Sequence, residues 1–277
     1  MRAVLIIAWR EVRQGLRNRW VVGASALLAA FGLCLAFLGS APVGSVGASG
    51  LAVTLVSLSS LGIFLLPLIA LLLAYDALVG EFERGTMLLL LTYPVTRWQI
   101  VLGKFAGHVA ILTFATVVGF CVSGLVAAAT GEGADAEVWR AFGAMIGASV
   151  LLGAVFVALG YLISALAHER AVAAGLAIAL WLLFVVVYDL ALLGALVADR
   201  EGVVMTETLF RVLLAINPAD AYRMFNLGDL TGASQITGMA GTGAKAGLGS
   251  GVLLPILAAW VVVPLGLAAF LFRRREA

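Results

Sequence analysis

Six runs of apolar residues, each long enough to cross a bilayer as a helix, constrain this chain more than any other feature. They are Trp20 to Ala41, Leu51 to Tyr75, Ile100 to Ala129, Phe142 to Ala167, Ala171 to Val197 and Gly251 to Phe272. A crossing helix needs about 20 predominantly apolar residues, and every run meets that length. With 63% hydrophobic and 12% charged residues, the chain is excluded from the soluble globular class, which carries about a quarter charged residues. The sequence predicts an all-α integral membrane protein, residues 1–277 forming one domain with six transmembrane helices. The first three runs are not repeated in the last three, and no polar stretch is long enough to hold a core of its own.

An even number of crossings puts both termini on one side. Twelve of the 17 basic residues then share that side: Arg2, Arg10, Arg13, Arg17, Arg19, Arg84, Arg97, Lys104, Arg170, Arg273, Arg274 and Arg275. Arg140, Arg200, Arg211, Arg223 and Lys245 are left for the other side. Because basic residues concentrate on the cytoplasmic side of membrane proteins, both termini are expected in the cytoplasm.

Residues 1–19 precede the first run, and within them Leu5, Trp9, Val12 and Leu16 recur at helical spacing, with Arg10, Arg13, Gln14 and Arg17 on the opposite side. That pattern predicts an amphipathic helix lying on the inner membrane surface, with Arg17, Arg19 and Trp20 anchoring the membrane entrance. The run that follows is too long, and starts too late, for a cleaved signal peptide.

Between the second and third runs lies GEFERGTMLLLLTYPVTRWQIVLGK, Gly80 to Lys104. Charges are costly in lipid, so Glu81, Glu83 and Arg84 must sit in water or against a partner. They offer directed charge pairs to a partner, and Met87 to Leu91 can insert into a groove.

The long polar stretch, residues 198–250, falls on the outer face. Leu209, Phe210, Leu213 and Leu214 give one apolar helical face, expected to end at Ile216. Asn217-Pro218 is a cap and first turn for a second helix, with Asp220 near its positive end. Two short helices are expected on the membrane surface, followed by a flexible Gly-rich connector from Gly228 to Gly251.

Catalytic chemistry is hard to find. Gly241-Thr242-Gly243-Ala244-Lys245 fails the spacing of a phosphate loop, because Ala246 stands where Ser or Thr is required. His108, His168, Cys34, Cys121 and six methionines form no close ligand pair, so no metal site is expected. Met205, Met224 and Met239 read as packing rather than soft copper contacts. Both cysteines lie in apolar runs and read as small buried residues. Asp189 is different: a carboxylate inside the fifth run costs about 2.5–3.5 kcal/mol at mid-membrane, which makes it a candidate gate or cavity residue. A carboxylate near the helix end, bonded to a neighbour, accounts for it equally well. Pro67 and Pro264 should kink their helices, and the pairs Gly103/Gly107 and Gly143/Gly147 would permit close helix contacts.

Glu-x-Glu-Arg-Gly-Thr at residues 81 to 86, the apolar Met87 to Leu91, Tyr93-Pro94-Val95-Thr96-Arg97 and Val101-Leu102-Gly103-Lys104 resemble the transmission segment of the ABC-2 type permeases. Arg10-Glu11 and Arg17-Asn18-Arg19 are similar to that family's N-terminal helix. The stretch Asn217 to Arg223, NPADAYR, with Phe225-Asn226-Leu227, is similar to the branch of the family serving maturation of nitrous oxide reductase. The resemblance covers nearly the whole chain. It implies a homodimer in a bacterial inner membrane, each copy engaging a cytoplasmic ABC ATPase through a coupling segment at residues 80–97, with Glu81, Phe82, Glu83, Arg84, Gly85, Thr86, Met87 and Leu88 as the contact. It also implies a periplasmic solenoid protein docked on Leu209, Phe210, Leu213, Asn217, Asp220, Tyr222 and Arg223. ATP and Mg would belong to the ATPase, and this chain would be a non-catalytic subunit binding no cofactor. Its remaining partners would be the lipid bilayer and, indirectly, nitrous oxide reductase, with no nucleic acid. The cargo stays open at this point: a sulfur species, no cargo with mechanical transmission alone, or a lipid, polysaccharide or drug as in a generic ABC-2 exporter. A non-transporting scaffold is the reading from a different class, and a secondary carrier lacks its repeats and paired membrane charges.

Overall fold

The computed structural model describes residues 2–16, 23, 26–34, 50–130, 136–199, 206–228 and 250–275, and among them every regular element is helical. In chain order these are α1 (Arg2–Leu16), α2 (Gly50–Ala74), α3 (Val79–Glu83), α4 (Thr86–Leu91), α5 (Arg97–Thr130), α6 (Ala136–Leu166), α7 (Arg170–Leu182), a π-turn (Leu183–Val187), α8 (Tyr188–Ala198), α9 (Glu207–Ile216), α10 (Pro218–Gly228) and α11 (Ser250–Arg274). A further helical stretch occupies residues 26–34. The expected anchors Arg17, Arg19 and Trp20 and the Gly-rich connector at 229–249 lie outside the described residues.

Five helical spans have the length and apolarity to cross a membrane: Thr54–Glu83, Arg97–Val126, Ala136–Leu166, Arg170–Ala198 and Gly251–Arg274. They coincide with five of the six expected runs. Of the first run, only residue 23 and residues 26–34 are described, shorter than a crossing. α5 and α6 begin earlier than their apolar runs, at Arg97 and Ala136. Hydropathy marks where lipid ends, whereas a helix continues through the headgroup layer for as long as its backbone bonds close. α2 and α11 likewise run through Pro67 and through Pro255 and Pro264 as continuous helices.

α6 is the central rod. Seventeen of its residues are buried, against α2, α5, α10 and α11. It approaches α2 closely at Gly160, where an added Cβ would lie 2.6 Å from Ala74 Cβ. The two glycine pairs singled out in the sequence part company. A Cβ at Gly103 would meet Ile7 at 2.7 Å and one at Gly107 would meet Glu11 at 2.5 Å, so this pair seats α1 on α5. Gly143 and Gly147 face open space.

α1 contacts Gly103, Gly107 and Ile111 of α5 in turn through Val4 and Ile7, then Ala8 and Glu11, then Gly15. It therefore runs along the first turns of α5, in the same direction. The end of α11 meets the start of α5 at Arg97, so both described chain ends lie at one end of the bundle, called here the terminus end. α9 and α10 close the other end.

Candidate functional site

After α2 the chain must turn and re-enter the bundle at Arg97. It does so through two short helices whose exposed backbone groups need partners. The N–H groups of Leu78 and Val79 both donate to Ser164 Oγ, at 2.9 and 3.0 Å, so the last turn of α6 holds the start of α3. Gly85 follows with φ of 68°, a left-handed conformation that glycine adopts without a Cβ clash, and it redirects the chain into α4.

The acidic residues of this segment are tied to other helices. Glu81 is buried, its Oε1 3.0 Å from Lys104 Nζ of α5 and its Oε2 accepting from Thr86 Oγ1. Lys104, 3% exposed, also reaches Glu11 Oε1 of α1 at 2.8 Å. Beyond Glu11 stands His108, Nε2 at 3.8 Å from Glu11 Oε2, with Tyr161 of α6 2.9 Å from its Nδ1. One polar chain thus links α3, α5, α1 and α6, beside a cavity of about 470 Å³ lined in part by Asp76, Glu81, Arg84 and Lys104. Glu83 Oε1 accepts the backbone N–H of Arg170, at 2.7 Å, and so caps α7, while Arg170 Nη2 pairs with Asp76 at 2.9 Å.

α11 joins the same assembly. Arg97 Nη1 donates to the carbonyls of Phe272, Arg273 and Arg275 at 2.8, 3.2 and 2.6 Å, satisfying the end of that helix. Phe82 of α3 packs edge-on against Phe272 with 6.0 Å between ring centres, and the Arg275 guanidinium lies 4.6 Å from the Phe82 ring centre.

The structure therefore divides the eight expected contact residues into two groups. Glu81, Phe82, Thr86 and Met87 face inward or are partly covered, Met87 being fully buried. Glu83, Arg84 and Gly85 are exposed, as are Leu88 and Leu89 at 58% and 66%. An apolar pair beside a charged turn is what a groove on a partner protein would receive.

At the opposite end, the π-turn in the fifth span positions three groups. Asn217 Nδ2 donates to the Phe184 carbonyl at 2.9 Å, Tyr188 Oη donates to the Leu213 carbonyl at 2.7 Å, and Asp189 Oδ2 meets Arg223 Nη2 at 2.8 Å. Asp189 is thus bonded to a neighbour, nine residues inside the end of its span at Ala198. The space it shares with Asp220 and Arg223 is about 20 Å³, room for about one water. Asn217 caps α10 as expected, its Oδ1 accepting from Ala219 N at 3.0 Å. Asp220, fully buried, bonds Asn217 and Arg223. Burial pushes its carboxyl up to about 7, even against the pull of the Arg223 guanidinium.

Most of the residues expected to dock a partner here instead fasten the two helices to the bundle. Phe210, Asn217, Asp220 and Tyr222 are buried and Leu213 and Arg223 partly so, while Leu209 is exposed. Tyr222 Oη bonds Ser149 Oγ of α6 at 2.8 Å, and Trp260 Nε1 of α11 donates to the Ile216 carbonyl at 2.9 Å. The outward stripe of α9 is Leu209, Val212 and Ile216. Sequence reasoning missed Ser149, Ser164 and Trp260 altogether, and met Glu11 only as part of the family resemblance, with no partner assigned. Only Lys104 carried a signal, as a cation four residues into an apolar run that needs an anionic partner.

A helical membrane domain with a short-helix turn after α2 and a two-helix cap before α11 is consistent with a membrane permease of the ABC transporter class. The chain belongs to the ABC-2 transporter permease family: the profile described as ABC-2 family transporter protein matches residues 5–277. It is 46% identical over 276 residues to the probable ABC transporter permease protein NosY of Stutzerimonas stutzeri, covering 99% of each chain. To the protein of the same name from Pseudomonas aeruginosa it is 45% identical over the same length, again covering 99% of each.

Proposed function

We propose that this chain is the permease subunit through which a separate cytoplasmic ATPase, NosF-like, drives periplasmic maturation of the copper-sulfide centre of nitrous oxide reductase. The observation that carries the reading is that one buried helix, α6, holds both candidate sites: Ser164 fixes the start of α3 and Ser149 bonds Tyr222 of α10. A packed rod of that kind passes a displacement at one end to the other as a rigid body. Mechanical transmission to a periplasmic solenoid protein, NosD-like, is therefore favoured over sulfur export.

In this reading both termini, α3 and α4 are cytoplasmic and α9 and α10 periplasmic. α1 lies at the terminus end and α2 starts at the opposite end, which supports a sixth crossing between them. Glu83, Arg84, Leu88 and Leu89 meet the ATPase, and Leu209, Val212 and Ile216 meet the periplasmic partner. Two copies act together, and the ATPase alone binds ATP and Mg.

The test is deletion of this gene in its native host, followed by copper analysis and visible spectroscopy of purified nitrous oxide reductase. Loss of the copper-sulfide centre with the other copper site retained is expected, and restoration by the intact gene only when the ATPase can hydrolyse ATP. A normally assembled reductase would overturn the reading, and restoration with an inactive ATPase would reduce the chain to a scaffold.

A further inference from the structure

α1 has two working faces, and only one is accounted for by packing. Val4, Ile7, Ala8, Glu11 and Gly15 meet α5. The other face carries Leu5, Ile6 and Trp9, each 69% exposed, beside the exposed Arg2, Arg10 and Arg13. Among the described residues, none of these three guanidiniums meets a carboxylate. Ile6, Trp9, Arg10, Arg13 and Gln14 line a shallow hollow of about 580 Å³.

We propose that this face binds an anionic phospholipid of the leaflet at the terminus end. Charge complementarity selects the occupant. At helical spacing Arg2 and Arg13 fall between Trp9 and Ile6, so cationic and apolar side chains alternate across this face. Three guanidiniums without a carboxylate call for phosphate oxygens, which guanidinium binds in bidentate fashion, and Leu5, Ile6 and Trp9 beside them call for acyl chain and glycerol, the level at which tryptophan rings settle. A zwitterionic lipid also carries a phosphate, but its own ammonium offsets that charge, whereas an anionic lipid leaves a net negative charge for the arginines. The turns of α5 that α1 covers carry Lys104, paired with Glu11 of α1, and a charged pair of this kind is held at the headgroup end of a span rather than in hydrocarbon. Glu11, on the protein side of the same helix, is bonded to Lys104, so a lipid held on α1 is one helix away from the coupling segment.

The test uses the full chain in phosphatidylcholine nanodiscs carrying, at equal low mole fraction, either brominated phosphatidylglycerol or brominated phosphatidylcholine. The Trp9 signal is the emission of the parent protein minus that of Trp9→Phe. Quenching about fivefold stronger by the anionic lipid is expected, the factor for roughly one basic residue at a charged membrane surface. The combined Arg2→Gln, Arg10→Gln, Arg13→Gln variant should bring the ratio to one while brominated phosphatidylcholine still quenches. Equal quenching of the parent by both lipids would overturn the proposal, as would a preference that survives the triple substitution. Absence of quenching by either, the result if protein covers this face, would overturn it too.

Discussion

Ser149 and Ser164 stand on the same helix with their hydroxyls committed at opposite ends of the bundle. Ser164 Oγ accepts from the N–H groups of Leu78 and Val79, and Ser149 Oγ bonds Tyr222 Oη. The two serines are about 22 Å apart along the axis at the standard rise per residue. The intervening residues are almost all buried, which leaves α6 little freedom to bend between them.

Ser164→Ala removes the acceptor for two buried amide groups. A buried donor left without a partner costs about 1–3 kcal/mol. A lower thermal midpoint in detergent is expected, together with weaker maturation of the reductase. Ser164→Thr keeps the hydroxyl and should recover most of both, unless the added methyl does not fit.

Lys104→Met leaves Glu11 and Glu81 facing one another without a cation. Breaking a buried ion pair from one side costs about 3–5 kcal/mol, whereas removing all the charges together costs far less. The single variant should lose folded protein on size-exclusion in detergent. The combined Glu11→Gln, Lys104→Met, Glu81→Gln variant should be the more stable of the two, which thermal unfolding would show directly.

Asp220 gives the cap formed by α9 and α10 a pH dependence. Its carboxyl titrates at about 7 in the fold, against about 3.9 in an unfolded chain. Between those values the folded state holds more protons than the unfolded one, so stability falls as pH rises from about 4 to about 7 and levels off above. The difference in thermal midpoint between the parent and Asp220→Asn should fall across that window. A difference that rises or stays constant would show that Asp220 keeps its charge in the fold.

Arg97→Ala exposes the last carbonyls of α11 and removes the cation beside Phe272. The expected result is faster proteolysis of the C-terminal turn, with a modest loss of global stability of about 1–2 kcal/mol. Arg97→Lys, with a single ammonium in place of the planar fork, should fall between the two.

The membrane helices were legible because lipid imposes one rule on every residue of a span. The run Leu51 to Tyr75 became α2, Gly50–Ala74, and Ala171 to Val197 became the span from Arg170 to Ala198. Ile216 ends α9 and Pro218 opens α10, as the Asn-Pro break requires. The site was legible only in position. Glu81 looked available to a partner because its neighbours in sequence are charged, yet it bonds Lys104, 23 residues along the chain on α5, and Lys104 in turn bonds Glu11 on α1. Ser164 looks like any small residue of a span, and nothing in composition marks it as a cap. The outward faces of α4 and α9 were likewise hidden, because periodicity shows that a helix has an apolar stripe and not which stripe the bundle takes.

In the proposed function, ATPase action enters this chain through the exposed tip of α4. The direct measurement is the visible spectrum and copper content of nitrous oxide reductase from a deletion host complemented with the Leu88→Asp, Leu89→Asp variant, at membrane levels matched to the parent. Both side chains are exposed and touch no buried core, so the variant should insert and fold normally. The account predicts a reductase lacking its copper-sulfide centre while retaining the other copper site. A reductase with both centres at parental levels would contradict it.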